Sequence, residues 1–173
     1  MSDPFPVIHP VKKDWLPTIV IDSREQDPLT FTSMSSEIGT LSTGDYSVVG
    51  LENDFTIERK SIPDLIGSLT TGRDRFMREL QRMLAFPFRR LLVIGSEDQI
   101  VRADWKHSRV NPKSILHSLH AIEARGIPVV YASNPTTAAS LIERWAFWRS
   151  REVLKTSNNL LVTPKQRRPL RAA

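Results

Sequence analysis

The sequence predicts an α/β domain with a mixed central sheet flanked by helices. Short β-branched and apolar runs alternate with longer segments in which apolar residues recur at helical spacing. Their order is strand, strand hairpin, two helices, strand, helix, strand and helix, which is typical of a sheet covered by helices. The chain has 173 residues, enough for one domain with a sizeable core.

The strands are predicted from residue composition and from the turn residues that bound them. A β-branched run gives the first strand, and a hairpin with a turn at residues 50–54 is expected after it. Two short apolar runs complete the sheet. The predicted strands are residues 18–21, 38–42, 45–49, 55–60, 91–94 and 129–132.

Capping residues locate the helices. Ser61 is a good N-cap, Pro63 suits a first helical turn, and Asp64 suits the positive end of a helix dipole. Asn111 followed by proline opens a later helix in the same way. Residues 99–110, which include Trp105 and His107, are assigned no element. After the first helix at Ser61, the predicted helices are residues 74–85, 112–125 and 135–153.

Composition limits the possible functions. No segment approaches the roughly 20 apolar residues of a membrane span, and residues 1–14 lack a signal-peptide pattern. The absence of cysteine excludes disulfides, thiolate zinc sites and cysteine nucleophiles, and it fits an intracellular setting. The net charge is +5, with six basic residues between Arg73 and Arg90 and four between Lys165 and Arg171. Nucleic acid is therefore favoured as a partner.

Three segments are expected along the chain. Residues 1–16 contain several prolines and are interpreted as an irregular N-terminal arm. Residues 17–154 form the predicted α/β domain. Residues 155–173 are polar and basic, and are interpreted as a C-terminal tail.

The strand at residues 55–60 carries a strong chemical signal. Side chains alternate along a strand, so Glu58 and Lys60 project to the same side. Alone, this pair would be a solvated strand face. Two or three carboxylates that hold Mg²⁺ or Mn²⁺ beside a lysine can, however, hydrolyse a phosphodiester. The acidic and basic residues available near these early elements are Asp22, Arg24, Glu25, Asp45, Glu58 and Lys60. No Walker loop or dinucleotide-binding turn is present, so no nucleotide cofactor is expected.

Two helical surfaces have alternative interpretations. Arg75, Arg78 and Arg82 share one side of the second helix, where they either contact DNA or form a solvated face with pairs such as Arg75 with Glu79. On the last helix, a wide apolar surface either lies between layers or pairs with another subunit. Its residues include Trp145, Phe147 and Trp148.

The order of these motifs resembles the XPF-type nuclease domain. That domain belongs to the structure-specific endonucleases of excision repair and fork processing, including the archaeal Hef nuclease. Its motif is Gly-Asp, a variable spacer, Glu-Arg-Lys, three residues and then Asp. The resemblance covers residues 18–153, and the matching segments are Asp22-Ser-Arg-Glu25, Gly44-Asp45-Tyr46, Glu58-Arg59-Lys60, Asp64, Leu65-Ile-Gly-Ser68 and Gly72-Arg73.

The resemblance implies a restriction-endonuclease-like, or PD-(D/E)XK, fold and an Mg²⁺- or Mn²⁺-dependent endodeoxyribonuclease. The implied substrate is branched, flapped or forked DNA in repair, recombination or replication. Asp45 and Glu58 would be metal ligands with Asp22 as a third, and Lys60 would position the water or the phosphate. The supporting site residues implied are Arg24, Glu25 and Arg59, and the DNA-facing ones implied are Asp64 and Arg73. Separately from the resemblance, the stripe Arg75, Arg78 and Arg82 is predicted to bind DNA.

The family also dimerises through late helices, which implies a homodimer interface at Trp145, Phe147 and Trp148. Family members normally add helix-hairpin-helix modules, and some carry a helicase domain; we expect neither in this chain. Substrate choice is therefore open, and a partner could supply the missing DNA-binding function. The alternatives are a non-catalytic DNA-binding subunit and a nuclease of the same chemistry with little structure specificity or with RNA as substrate. The expected location is the cytoplasm of a prokaryote or virus-infected cell, or a eukaryotic nucleus.

Overall fold

The computed structural model describes residues 14–103 and 110–161. Trp105, His107, the basic cluster from Lys165 to Arg171 and most of the predicted N-terminal arm lie outside these residues. The strands are β1 (Ile19–Asp22), β2 (Ser36–Gly39), β3 (Tyr46–Val48), β4 (Phe55–Ser61), β5 (Phe88–Ile94) and β6 (Val129–Ala132). The helices are α1 (Ile62–Leu69), α2 (Arg73–Met83), α3 (Glu97–Val101), α4 (Pro112–Ala124) and α5 (Pro135–Leu161).

The strands form one mixed sheet in the order β2-β1-β3-β4-β5-β6. β3 runs antiparallel to both β1 and β4, whereas the other neighbouring pairs are parallel. β1 and β4 therefore point the same way, with β3 reversed between them. As a result, the carboxyl ends of β1 and β4 and the beginning of β3 meet at one edge of the sheet.

Helices cover both faces of this sheet, as predicted. On one face, α1, α2 and α4 bury an apolar cluster that includes Phe76, Leu80 and Leu91. On the other face, α5 packs its small residues and Ile142 against Tyr46 and other sheet residues. Burial of both faces explains the short, almost uninterrupted apolar runs of the central strands.

The predicted helix starts are confirmed by their caps. The Ser61 side chain accepts a hydrogen bond from the Asp64 backbone N–H, and Pro63 lies in the first turn of α1. The Asn111 side chain accepts from the Lys113 backbone N–H at the start of α4. These short polar side chains satisfy donors that the first turn of a helix leaves without partners.

The first half of the predicted hairpin is wrong. β2 is an exposed edge strand that pairs in parallel with β1 and does not contact β3 as a hairpin partner. The chain leaves β2 after Gly39 because the Leu41 backbone N–H donates to the Asp22 carboxylate, 2.8 Å away. Residues 40–45 are thus drawn across the sheet edge towards β3.

Two helices differ from the predictions. α3 (Glu97–Val101) was not predicted; a capping box between Ser96 and Gln99 starts it. α5 continues to Leu161, beyond the predicted end at residue 153, so the first residues of the predicted tail are helical. No helix within the described ranges is long and apolar enough to cross a membrane.

Polar contacts hold α5 in place. The buried Glu143 carboxylate accepts three backbone N–H bonds of 2.7–3.1 Å from the loop residues Thr32, Ser33 and Met34. Farther along, Arg149 makes a bidentate ion pair of 2.5 and 2.6 Å with Asp54 in the turn before β4. Charge-assisted bonds of this kind fix geometry as well as adding stability.

The apolar residues predicted to form an interface on α5 occupy different environments. Trp145 is partly buried in the core, with its ring 6.2 Å from that of Phe88. Phe147 is partly buried, and Trp148 is 63% exposed with its ring against that of Phe147. Trp145 is therefore a core residue, and only Phe147 and Trp148 remain available to a partner.

Candidate active site

The site begins with the backbone at the sheet edge. The Asp22 N–H donates to the Asp45 carbonyl and the Asp45 N–H donates to the Ile57 carbonyl, both at 2.8 Å. Gly44, just before Asp45, has a φ of +79°. A Cβ there would lie 2.2 Å from the Thr56 hydroxyl, so glycine is required both by conformation and by space. This tight turn sets Asp45 between the two parallel strands.

Glu58 and Lys60 project from β4 towards α2, as their spacing predicts. The Glu58 side chain is 1% exposed, and its Oε1 accepts a hydrogen bond from Lys60 Nζ. Its Oε2 is buried and has no hydrogen-bond partner among the described residues. The Lys60 ammonium also lies over the Phe76 ring of α2, 5.6 Å from its centre. Buried carboxylate oxygens normally have partners, so the Oε2 atom points to a ligand.

Asp45 is the second acid of this pair. Its Oδ2 accepts a 2.7 Å bond from the Arg59 backbone N–H. Burial raises the pKa of Asp45 to about 6, although the Lys60 charge and that bond act against the rise. Burial also raises the pKa of Glu58 to about 8, and the Asp45 charge adds to the effect.

Lys60 stays charged in this setting. Burial alone would lower its pKa, but the Glu58 carboxylate beside it raises the pKa above the ordinary value. The buried Glu58 and the partly buried Asp45 are therefore harder to ionise than ordinary carboxylic acids, while Lys60 beside them keeps its proton more tightly. A divalent cation would favour the charged form of both carboxylates.

The residues fit a hard divalent cation. Glu58 Oε2 is an oxygen with no hydrogen-bond partner in residues 14–103 and 110–161, and the Asp45 carboxylate belongs to the same electrostatic cluster. Carboxylate oxygen is the ligand that Mg²⁺ and Mn²⁺ prefer. Within residues 14–103 and 110–161, however, no group of three or more His, Cys, Asp or Glu side chains is arranged to hold a metal.

Asp22 does not have the geometry expected of the predicted third ligand. Its carboxylate is 2% exposed and accepts bonds from Arg24 N, Nε and Nη2 (2.9, 2.7 and 3.0 Å) and from Leu41 N (2.8 Å). Burial would raise the pKa of Asp22, but these bonds lower it overall. Both oxygens are thus committed to the protein. Through its bond with the Leu41 backbone N–H, Asp22 instead fixes the position of the loop that leads to Asp45.

Arg59 and Glu25 form a second support. Arg59 Nη2 donates to Glu25 Oε1 at 3.0 Å and Nε donates to Oε2 at 3.3 Å. Asp27 lies 3.9 Å from the same guanidinium. Because Arg59 stands between Glu58 and Lys60 in β4, this bidentate pair ties β4 to the loop after β1.

An open cleft of about 890 Å³ lies above these side chains. Arg24, Lys60 and Arg75 supply its positive charge, and Asp45 and Asp64 are among its acidic residues. Phosphates of a nucleic acid strand would meet the cations, while the scissile bond would face the acidic floor.

The other predicted DNA-facing arginines lie apart from this lining. Arg73 Nη1 donates to the Leu69 carbonyl (3.3 Å) and to Ser118 Oγ of α4 (3.1 Å). Arg82 Nε donates to Thr43 Oγ1 at 3.0 Å, beside the Gly44 turn. Arg78 is exposed on α2. Arg82 therefore supports the loop that leads to Asp45, whereas Arg73 links the end of α1 to α4.

Sequence reasoning missed Glu79 of α2. It was considered only as an intrahelical partner of Arg75, and no such ion pair exists among the described side chains. Glu79 instead acts electrostatically on Asp45, Glu58 and Lys60. Its spacing of three residues from the buried Phe76 was the available signal, because such residues share a helix face.

A mixed sheet that gathers two acids and a lysine at one edge, with helices on both faces, defines a nuclease-type domain of restriction-endonuclease-like fold. The ERCC4 domain model matches residues 21–144, and the chain belongs to that family. The predicted family and fold are thereby confirmed.

Solved structures agree with this fold. XPF from Aeropyrum pernix superposes with a TM-score of 0.62 at 20% identity, covering 82% of this chain and 69% of that chain. The same protein in complex with DNA gives a TM-score of 0.62 at 22% identity, covering 79% of this chain and 66% of that one. The comparison with curated proteins gave no match.

The raised pKa of Glu58 predicts that metal-free protein loses stability as pH rises. The folded-state pKa is about 8 against an ordinary 4.5. Protonated Glu58 therefore makes its full contribution to the free energy of unfolding below about pH 4.5. That contribution is lost as the pH rises through about 8. We expect the melting temperature in EDTA to fall over this range in the wild type, and Glu58→Gln to flatten the fall.

Glu37→Gln is the control. It makes the same change of charge and size as Glu58→Gln, but at an exposed residue of the edge strand β2 away from the site. It should keep the wild-type pH dependence. Equal pH dependence in wild type and Glu58→Gln would contradict the assigned environment of Glu58.

Proposed function

We propose that the chain is a divalent-metal-dependent endonuclease that hydrolyses phosphodiester bonds in DNA inside the cell. The observation that carries this proposal is the buried Oε2 of Glu58, which lies in a cluster with Lys60 and Asp45 and has no hydrogen-bond partner among the described residues. Leaving a carboxylate oxygen buried without a partner costs free energy, and a surface that only binds DNA has no need of it. Membership of the ERCC4 domain family and the likeness to a DNA-bound XPF structure support the same substrate.

Each residue has a distinct role in the proposed reaction. Asp45 and Glu58 would hold Mg²⁺ or Mn²⁺, which supplies Lewis acidity at the phosphate and lowers the pKa of a bound water. Lys60 keeps its proton and donates to a phosphate oxygen or orients the attacking water. Arg24 and Arg75 bind the flanking phosphates from the walls of the cleft. The Arg59 pair with Glu25 holds β4 still during the reaction.

Junction-containing DNA is the proposed preferred substrate. The support is the resemblance to structure-specific nucleases and an open cleft bordered by both the sheet edge and α1. The site itself touches only the phosphodiester, so it accepts any strand that reaches it. Substrate choice thus rests on the surfaces around the cleft.

Cleavage of matched linear, flap, fork and four-way DNA tests the activity. With Mg²⁺ or Mn²⁺ we expect wild type to cut, with a preference for junctions. Asp45→Asn and Glu58→Gln should each lower the rate by at least about a hundredfold, on the scale of lost transition-state charge stabilisation. Rates are measured on end-labelled strands under single-turnover conditions.

Glu37→Gln is again the matched control and should cut at the wild-type rate. Undiminished cleavage by Asp45→Asn and Glu58→Gln would show that the active site lies elsewhere. DNA binding with no cleavage by wild type in either metal would favour a non-catalytic DNA-binding subunit.

Arg75 provides a separate test of the DNA-binding surface. It is exposed at the cleft and makes no ion pair among the described residues, so it is free to meet a phosphate. We expect Arg75→Ala to lower the slope of log affinity against log salt by about 1. Arg125→Ala, which removes an exposed arginine outside the cleft, should leave the slope unchanged. The affinities are measured by fluorescence anisotropy without divalent metal. An unchanged slope in Arg75→Ala would show that Arg75 is a solvated surface residue that does not contact DNA.

We also propose that the domain forms a homodimer through α5. Trp148 stands 63% exposed at a groove of about 360 Å³ that is also lined by Leu16, Met34 and Phe147. In a two-fold pair, the projecting indole of each copy can enter the groove of the other, because the same patch supplies both surfaces. Burial of two indoles would then add to the apolar contact.

Light scattering at micromolar concentration tests the dimer. We expect a dimer mass for wild type and a monomer for Trp148→Glu, because the new carboxylate would be buried in the interface. Leu160→Glu, on an exposed residue farther along α5 and outside the groove, should remain dimeric. A monomeric wild type would end this proposal.

A further inference from the structure

Glu79 occupies the middle of the α2 face that borders the site. Phe76, three residues before it, is 2% exposed and lies beneath the Lys60 ammonium. Arg82, three residues after it, bonds to Thr43 in the loop that leads to Asp45. Residues three apart on a helix are neighbours on one side, so Glu79 lies between these two contacts.

The Glu79 carboxylate is close to the site but not engaged in it. The part of the chain that the structure describes contains no hydrogen bond and no ion pair within 4.0 Å for this side chain. Burial is the main cause of the raised pKa values of Asp45 and Glu58, and the Glu79 charge adds to both. The half-buried Glu79 charge thus lies near two other acids and has no hydrogen-bond or ion-pair partner among the residues that the structure describes.

Glu58 Oε2, which is buried and has no hydrogen-bond partner among the described residues, indicates where a cation would bind near Glu79. Among the other acids near Asp45 and Glu58, Asp22 is occupied by hydrogen bonds from Arg24 and Leu41. Glu79, by contrast, has no hydrogen bond or ion pair among the described residues and acts on both Asp45 and Glu58. Within residues 14–103 and 110–161, no group of three or more His, Cys, Asp or Glu side chains is arranged to hold a metal, so Glu79 does not complete a direct ligand set with Asp45 and Glu58. Mg²⁺ keeps several of its water molecules in protein sites, and carboxylates beyond direct reach bind those waters.

We propose that Glu79 is a positioning residue for the divalent cation, acting on its hydration shell from α2. This inference rests on the proposed metal-dependent function. It assigns α2 a part in the metal site, which the sequence motif places only on the sheet. Repulsion among Glu79, Asp45 and Glu58 in the metal-free protein is relieved when the cation binds.

Mn²⁺ binding to metal-stripped protein, followed by calorimetry in the absence of DNA, tests the inference without an activity measurement. We expect Glu79→Gln and Glu79→Ala to weaken Mn²⁺ binding by about tenfold or more, the usual effect of losing an outer-shell partner. Glu123→Gln, which makes the same charge change at an exposed residue of α4, should bind as wild type does. Glu58→Gln should lose most of the binding.

The outcomes separate the two proposals. Glu79 variants that bind Mn²⁺ within twofold of Glu123→Gln, while Glu58→Gln loses binding, would overturn the role of Glu79 and leave the proposed site standing. Wild-type binding by Glu58→Gln would overturn the site and the inference with it. Melting in EDTA checks folding: both Glu79 variants should be at least as stable as wild type, since each removes a repulsive charge. The alanine variant guards against a fold defect specific to glutamine.

Discussion

The burial of Glu58 is the constraint on which the rest of the site depends. A carboxylate that is 1% exposed and has one oxygen without a hydrogen-bond partner in the described part of the chain is unfavourable by itself, and its neighbours stabilise it. Lys60 neutralises one oxygen, Phe76 closes the space behind Lys60, and the Gly44 turn brings Asp45 alongside. A bound cation would neutralise the remaining negative charge of this cluster. Its binding would offset the free-energy cost of burying the Glu58 carboxylate.

Supporting contacts are placed around this cluster and outside it. Asp22 with Arg24 and Arg59 with Glu25 are hydrogen-bonded pairs that fix the loops on either side of Asp45. Neither pair needs a metal, and both use residues of the sequence motif. Motif membership therefore does not imply contact with the reacting atoms. The acids differ in their hydrogen bonds: both Asp22 oxygens accept bonds from the protein, whereas Glu58 Oε2 has no partner among the described residues.

Local patterns were sufficient where neighbouring residues decide the structure. The Ser61 cap, the bounds of β6 and the shared face of Glu58 and Lys60 all follow from spacing and side-chain type. Patterns failed where a distant group decides. The edge position of β2 depends on its parallel pairing with β1 and on the hydrogen bond that the Leu41 backbone N–H donates to the Asp22 carboxylate. Trp145 belongs to the core because Phe88 of β5 meets it.

The sequence by itself determined the class of fold, the family and the identity of the central residues Asp45, Glu58 and Lys60, because the motif is local and strand periodicity is fixed by the backbone. Only the tertiary structure decided which acids are available. Hydrogen bonds from Arg24 and Leu41 occupy Asp22, whereas Glu79 of α2 has no hydrogen bond or ion pair within the described part of the chain. Charge, burial and hydrogen bonding act between residues that are close in space. Residues far from β4 in the sequence therefore determine which acids near Glu58 already have protein partners.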